Sequence, residues 1–99
     1  MLNIRPIAVL IMAKEPPALL EYLSNKNYEI MSTDDPAEAV MHIADYDIIL
    51  LEDNDTFDVD MLDLIREIRR REPLATLFVM SDKKDPADQL PFLDAGVTN

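Results

Sequence analysis

The sequence predicts an α/β fold, a doubly wound parallel sheet, on three observations. Short apolar runs alternate with helix-patterned stretches four times in 99 residues. The apolar runs Ile7 to Met12 and Ile48 to Leu51 are too short for buried helices, and they suit strands covered on both faces. Two helix starts share one capping signature, Asp35-Pro36 and Asp85-Pro86. With 48% apolar residues, the chain can bury a core of its own.

Each element follows from local chemistry. Ile7-Ala8-Val9-Leu10-Ile11-Met12 is rich in β-branched residues and reads as the first strand. Pro16 and Pro17 stop it and open a helix through Ala18, Leu19, Leu20, Tyr22 and Leu23. Tyr28 to Ser32 alternates enough to be a second, more exposed strand. Asp35 at the N-cap, Pro36 and Glu38 then start a helix running to about Ala44, with Ala37, Val40, Met41 and Ile43 buried in varying degree.

Asp47 to Leu51 is the third strand, and an acidic loop, Glu52 to Asp60, follows. Met61, Leu62, Leu64, Ile65 and Ile68 recur at helical spacing over Met61 to Arg71, where Asp58 or Asp60 is the expected cap. Arg69, Arg70 and Arg71 suit the negative end of that helix dipole. Leu74 to Met80 is the fourth strand. Asp85-Pro86-Ala87-Asp88 opens the last helix, but Pro91 removes a backbone hydrogen bond within it. That helix is either kinked there or short, beginning near Pro91.

Composition removes several functions. Nine Lys and Arg face twenty Asp and Glu, a net charge of −11, so phosphate backbones and anionic lipid are repelled and neither nucleic acid nor membrane is an expected partner. No cysteine is present, which excludes disulfides, thiolate metal sites and cysteine nucleophiles and fits a reducing, cytoplasmic setting. The single glycine, Gly96, excludes both the dinucleotide fingerprint and the P-loop. No linker or repeat divides the chain, so residues 1–99 are read as one domain.

In open parallel sheets, ligands sit outside the carboxyl ends of the strands. Those ends are Met12-Ala13-Lys14, Glu52-Asp53 and Ser81-Asp82. Along almost its whole length the chain resembles a response-regulator receiver domain, a flavodoxin-like fold. Ala13-Lys14-Glu15-Pro16 stands where that family ends its first strand with Asp-Asp-Glu-Pro. Asp34-Asp35-Pro36-Ala37-Glu38-Ala39 is similar to the opening of its second helix. Tyr46 to Glu52 is similar to the segment that delivers the phospho-accepting Asp. Met61 to Arg69 resembles the third helix, Ser81 the hydroxyl on the fourth strand, and Ala95-Gly96-Val97 the next loop.

The resemblance implies two acids for Mg²⁺, an Asp that takes the phosphoryl group, a hydroxyl, and a Lys on a fifth strand. Ala13 and Lys14 replace the acids, Glu52 replaces the Asp, and the sequence stops at Asn99 before a fifth strand and helix; Ser81 keeps the hydroxyl. The expected protein is therefore a pseudo-receiver, not an enzyme and without a cofactor, working by protein contact in signal transduction. A Lys14 ammonium paired with Glu52 would stand in for the metal and phosphoryl group; the alternative is Lys14 in water. A one-residue shift in register would instead present Asp53, leaving a working receiver that needs Mg²⁺ and takes a phosphoryl group from a histidine kinase in a two-component phosphorelay. A third reading is a divalent-cation module using Asp53, Asp55 and Asp58, which lacks the central glycine of calcium loops. His42 has no partner residues for nucleophilic or metal chemistry.

An exposed fourth strand would be an apolar edge, and a remodelled last helix a rebuilt surface. Leu74, Leu77, Phe78, Pro91 and Phe92 are the residues expected there. A homodimer, a protein partner or a covalently linked output domain would cover them.

Overall fold

Unbroken apolar sequence sets the centre of the sheet. The computed structural model describes residues 6–14, 18–81 and 85–98. β1 (Ala8–Met12) is buried along its whole length. Then follow α1 (Ala18–Ser24), β2 (Glu29–Thr33), α2 (Pro36–His42), a 3₁₀ turn (Ile43–Asp45) and β3 (Ile48–Glu52). α3 (Met61–Arg71), β4 (Thr76–Met80) and α4 (Pro86–Ala95) complete the described chain. The four strands are parallel in the order β2-β1-β3-β4, the doubly wound arrangement that the sequence predicts. The expected helix opening at Pro16 and Pro17 lies outside the described residues, as do Glu15 and Asp82.

Strand alternation sends side chains to two cores. Leu10, Met12, Ile49, Leu51 and Leu77 pack with Ala39, Ile43, Leu64, Ile65, Ile68, Phe92 and Ala95, on the face that carries α2, α3 and α4. Val9, Ile11, Ala13 and Leu50 fill the other face beneath Leu20 and Leu23 of α1. Burial of both faces is what a continuous apolar strand requires.

The caps form where the sequence places them. Asp35 accepts the Ala37 N–H at 3.0 Å, Asp60 accepts the Asp63 N–H at 3.1 Å, and Asp85 accepts the Ala87 N–H at 2.9 Å. Asp60, not Asp58, is thus the cap of α3.

Three local expectations need correction. In α2 the buried residue is Ala39, one turn before the buried Ile43, whereas Ala37 and Met41 share the opposite face and are exposed. The fourth strand begins at Thr76 rather than Leu74, because the preceding carbonyls of Glu72, Pro73 and Ala75 are held by the Arg69 guanidinium. α4 starts at Pro86 and continues through Pro91, so the short helix beginning near Pro91 is not what forms. The ring of Pro91 lacks only the one N–H, and the flanking turns carry the helix past it.

The three terminal arginines of α3 also divide their roles. Arg70 and Arg71 both bond the Glu67 carboxylate, at 2.6 and 2.7 Å. Those two bonds hold Glu67 well below its ordinary 4.5, at about 2. A depressed carboxyl pKa favours the fold at pH above 4.5, and the contribution fades as pH falls toward 2. Replacing both Arg70 and Arg71 by alanine should return the Glu67 side-chain midpoint to about 4.5 in a carbon-detected NMR titration. Because the cluster is exposed, raising salt should move the wild-type midpoint the same way.

Candidate functional site

The carboxyl ends of β1, β3 and β4 bring Ala13, Lys14, Glu52, Asp53 and Ser81 to one end of the sheet. Glu52 is the last residue of β3, paired opposite Met80, and Asp53 follows with its N–H on the Met80 carbonyl at 2.8 Å. The two adjacent acids therefore turn to different neighbours. Glu52 Oε1 accepts the Lys14 backbone N–H at 3.2 Å and the Asn54 side-chain amide at 2.8 Å, on the β1 side. Asp53 Oδ2 accepts the Ser81 hydroxyl at 3.2 Å, on the β4 side.

Lys14 contacts Glu52 through its backbone, and the ammonium goes elsewhere. Nζ stands 4.6 Å from the centroid of the Phe57 ring, and among the described residues it makes no ion pair with Glu52. This corrects the expected ammonium–carboxylate pair. Glu52 is already turned toward two N–H donors, while a buried Phe57 offers an aromatic face within reach. Lys14→Met should change stability by no more than ~1 kcal/mol. It should also leave the Asn54 side-chain amide shifts unmoved; an ammonium bound to Glu52 would shift them.

Loop residues, rather than charge alone, shape the segment after β3. The Asn54 side chain accepts from the Thr56 N–H and hydroxyl, at 2.9 and 2.7 Å, and the Asn54 carbonyl accepts the Phe57 N–H at 3.1 Å. That turn drives Phe57 into the larger core, 6% exposed. Asn54 and Phe57 are the two organising residues that sequence reasoning passed over. An Asn-x-Thr-Phe run inside a row of acids was the available signal.

Among the described residues, the donors at this end do not make up a Mg²⁺ site. A hard dication needs several oxygen ligands in octahedral array. Ala13 is buried and supplies none, Lys14 brings a cation, Glu52 is bonded to amides, and Asp53 faces Ser81. Among the described residues, no three of His, Asp and Glu converge as a metal cluster, Asp55 and Asp58 included. His42 is half-buried at the end of α2, apart from these residues in the sequence.

The expected interaction surface is only partly a surface. Leu77 is fully buried and Phe92 is 8% exposed, so both belong to the core; strand alternation turns Leu77, and helix phase turns Phe92, into the larger cluster. Leu74, Phe78 and Pro91 are exposed. At the outer edge of β4, Leu77 gives its N–H to the Thr98 hydroxyl and takes the Thr98 N–H on its carbonyl, at 2.9 and 2.7 Å. A groove of about 300 Å³ beside Phe78, Val79 and Leu93 continues along that edge.

This sheet order, with its site at the strand ends, is the CheY-like receiver fold. No family model matches the chain, and none of the curated proteins does. Solved structures do. The receiver domain of TorR, the response regulator of the TMAO respiratory system, is 25% identical with a TM-score of 0.80, covering 93% of this chain and 79% of that one. A CheY of Borrelia burgdorferi, solved in a complex with CheX, beryllofluoride and Mg²⁺, is 20% identical with a TM-score of 0.78, covering 95% and 75%. A pilus assembly-related protein of Burkholderia pseudomallei is 19% identical with a TM-score of 0.71, covering 99% and 79%. Beside the pilus protein, the solved structures like this chain are receiver domains and CheY proteins, and the chain has the receiver fold, with four strands among the described residues. Among the described residues, no helix is long and apolar enough to cross a membrane.

Proposed function

We propose that this chain is a phosphorylation-independent pseudo-receiver that acts by protein contact in bacterial signal transduction, in the cytoplasm and without catalysis. One observation carries the reading. Glu52 closes onto the Lys14 backbone N–H and the Asn54 amide, at 3.2 and 2.8 Å, where a receiver would need a free Asp beside two metal acids. A glutamate also displaces the attacking oxygen from the in-line position that phosphoryl transfer requires. Its partner is a second protein or a linked output domain, and the exposed Phe78 edge of β4 favours a homodimer as one mode of contact.

A second reading has one observation in its favour. Asp53 and Ser81 meet at 3.2 Å, an acid beside a hydroxyl, as in a live receiver phosphorylated on Asp53. Amide NMR with Mg²⁺ and then beryllofluoride separates the two, since the Borrelia neighbour is a complex containing both. The pseudo-receiver should give no saturable shifts. Saturable shifts centred on Asp53, Glu52 and Ser81 would overturn it in favour of the phosphorylated form.

A further inference from the structure

Glu52 uses the methylene that an aspartate lacks. One oxygen, Oε1, takes both the Lys14 backbone N–H at 3.2 Å and the Asn54 side-chain amide at 2.8 Å. An aspartate in its place is shorter by one carbon–carbon bond, about 1.5 Å, and falls short of both donors. The residue that moves the attacking oxygen out of line therefore also gives this end of the sheet a contact of its own.

Those two bonds close a ring of contacts. From Glu52 it passes to Asn54, whose Oδ1 takes the Thr56 N–H and hydroxyl at 2.9 and 2.7 Å and whose carbonyl takes the Phe57 N–H at 3.1 Å. Phe57 is seated in the larger core, and its ring carries Lys14 Nζ at 4.6 Å from the centroid. Lys14 returns to Glu52 through its own backbone N–H. The end of β1, the end of β3 and the loop into α3 are thus joined through Lys14, Glu52, Asn54, Thr56 and Phe57. Moving the loop away breaks the Glu52 bonds, undoes the Asn54 turn and draws a buried ring out of the core at one stroke. A switch needs a second state populated to about 0.1–10%, and a movement with all of these costs together falls below that.

We propose that Glu52 and Asn54 form a lock that holds the β3–α3 loop in a single state, so that this end of the sheet presents a constant surface instead of switching. Glu52 is the positioning residue, and Asn54 is its link to the loop. The Asp53–Ser81 pair lies on the β4 side and takes no part. The lock deepens the pseudo-receiver reading and rests on its assignment of Glu52 to the acceptor position. Contact with a partner is then set by how much of each protein is present, not by a signal received at the strand ends.

Three variants test it by amide relaxation dispersion, which reads exchange on the μs–ms timescale, and by hydrogen exchange. Glu52→Gln keeps the length and the accepting oxygen, Glu52→Asp keeps the charge and loses the reach, and Asn54→Leu keeps the size and removes the link. Circular dichroism checks each fold, and Glu52→Asp carries the test alone where Asn54→Leu does not fold. The wild type and Glu52→Gln should show flat dispersion at the amides of Lys14 and residues 52–57. Glu52→Asp should shift the Asn54 side-chain amide signals, produce dispersion at those backbone amides and lower protection of the Phe57 amide about tenfold. Asn54→Leu should lower Phe57 protection in the same way. Dispersion at residues 52–57 in the wild type, a Glu52→Asp protein as flat and protected as the wild type, or a Glu52→Gln protein that behaves like Glu52→Asp would each overturn the lock. All of this is read without ligand. Saturable shifts at Asp53 with Mg²⁺ and beryllofluoride overturn the reading of the site, whereas dispersion in the ligand-free wild type overturns the lock.

Discussion

Replacing Arg69 by methionine should lower the unfolding free energy by ~3 kcal/mol, read as a reduced urea midpoint at unchanged slope. The guanidinium makes five hydrogen bonds to four carbonyls and, among the described residues, no ion pair. Nε and Nη2 both reach the Gly96 carbonyl, at 3.0 and 2.7 Å, while Nη1 gathers the turn before β4. One planar fork therefore ties the end of α3, the start of β4 and the end of α4. Methionine keeps the stem that packs against Gly96 but leaves those carbonyls to water or to nothing. Hydrogen bonds from a charged donor contribute ~1.5–3 kcal/mol apiece, yet bonds that share a donor group are not additive. A total near 3 rather than 10 kcal/mol follows. Arg69→Lys should recover less than half, since a single ammonium cannot span two separated carbonyl groups.

Gly96 belongs to the same device. Its φ is +124°, and a Cβ there would come within 3.0 Å of Arg69 Cγ. Gly96→Ala is therefore strained by its backbone and crowded by the arginine. Combining it with Arg69→Met should cost less than the sum of the two single changes, because a methionine no longer held by hydrogen bonds to the Gly96 carbonyl can swing aside from the new methyl group.

Sequence made the local features of this fold legible and left the long-range ones open. Alternating apolar runs and the Asp-Pro starts depend on neighbours within a turn or a strand, so α3 and the caps at Asp35, Asp60 and Asp85 fall where they were expected. The start of β4 does not, because Arg69 holds Pro73 and Ala75 across a helix end. At the strand ends, sequence placed Ala13, Lys14, Glu52, Asp53 and Ser81 at one end of the sheet but not the partners each one takes. Which way Glu52 and Asp53 turn depends on the pairing of β3 with β1 and β4, and where the Lys14 ammonium rests depends on Phe57 folding under it. A lone apolar residue near a strand also looks the same in sequence whether it is Leu74 or Leu77.

Those two leucines differ in the second large prediction. Leu77→Ala should destabilise the protein by ~3–4 kcal/mol, whereas Leu74→Ala should stay within ~0.5 kcal/mol. Leu77 is fully buried among residues of the larger core and lies opposite Ile49 in the ladder, so truncation removes buried methyl groups and leaves a cavity beneath α3 and α4. Its backbone also carries the two bonds to Thr98, so a loosened strand centre should release the end of the described chain as well. Hydrogen exchange reads that second effect. The amides of Leu77 and Thr98 should lose protection together in Leu77→Ala and keep it in Leu74→Ala. Leu74 has nothing packed on it to lose. Equal costs at the two positions would mean that Leu77 lies on a surface rather than in the core. A chain of this size has on the order of 5–15 kcal/mol to lose. Leu77→Ala should therefore still fold, with its urea transition moved to a visibly lower midpoint.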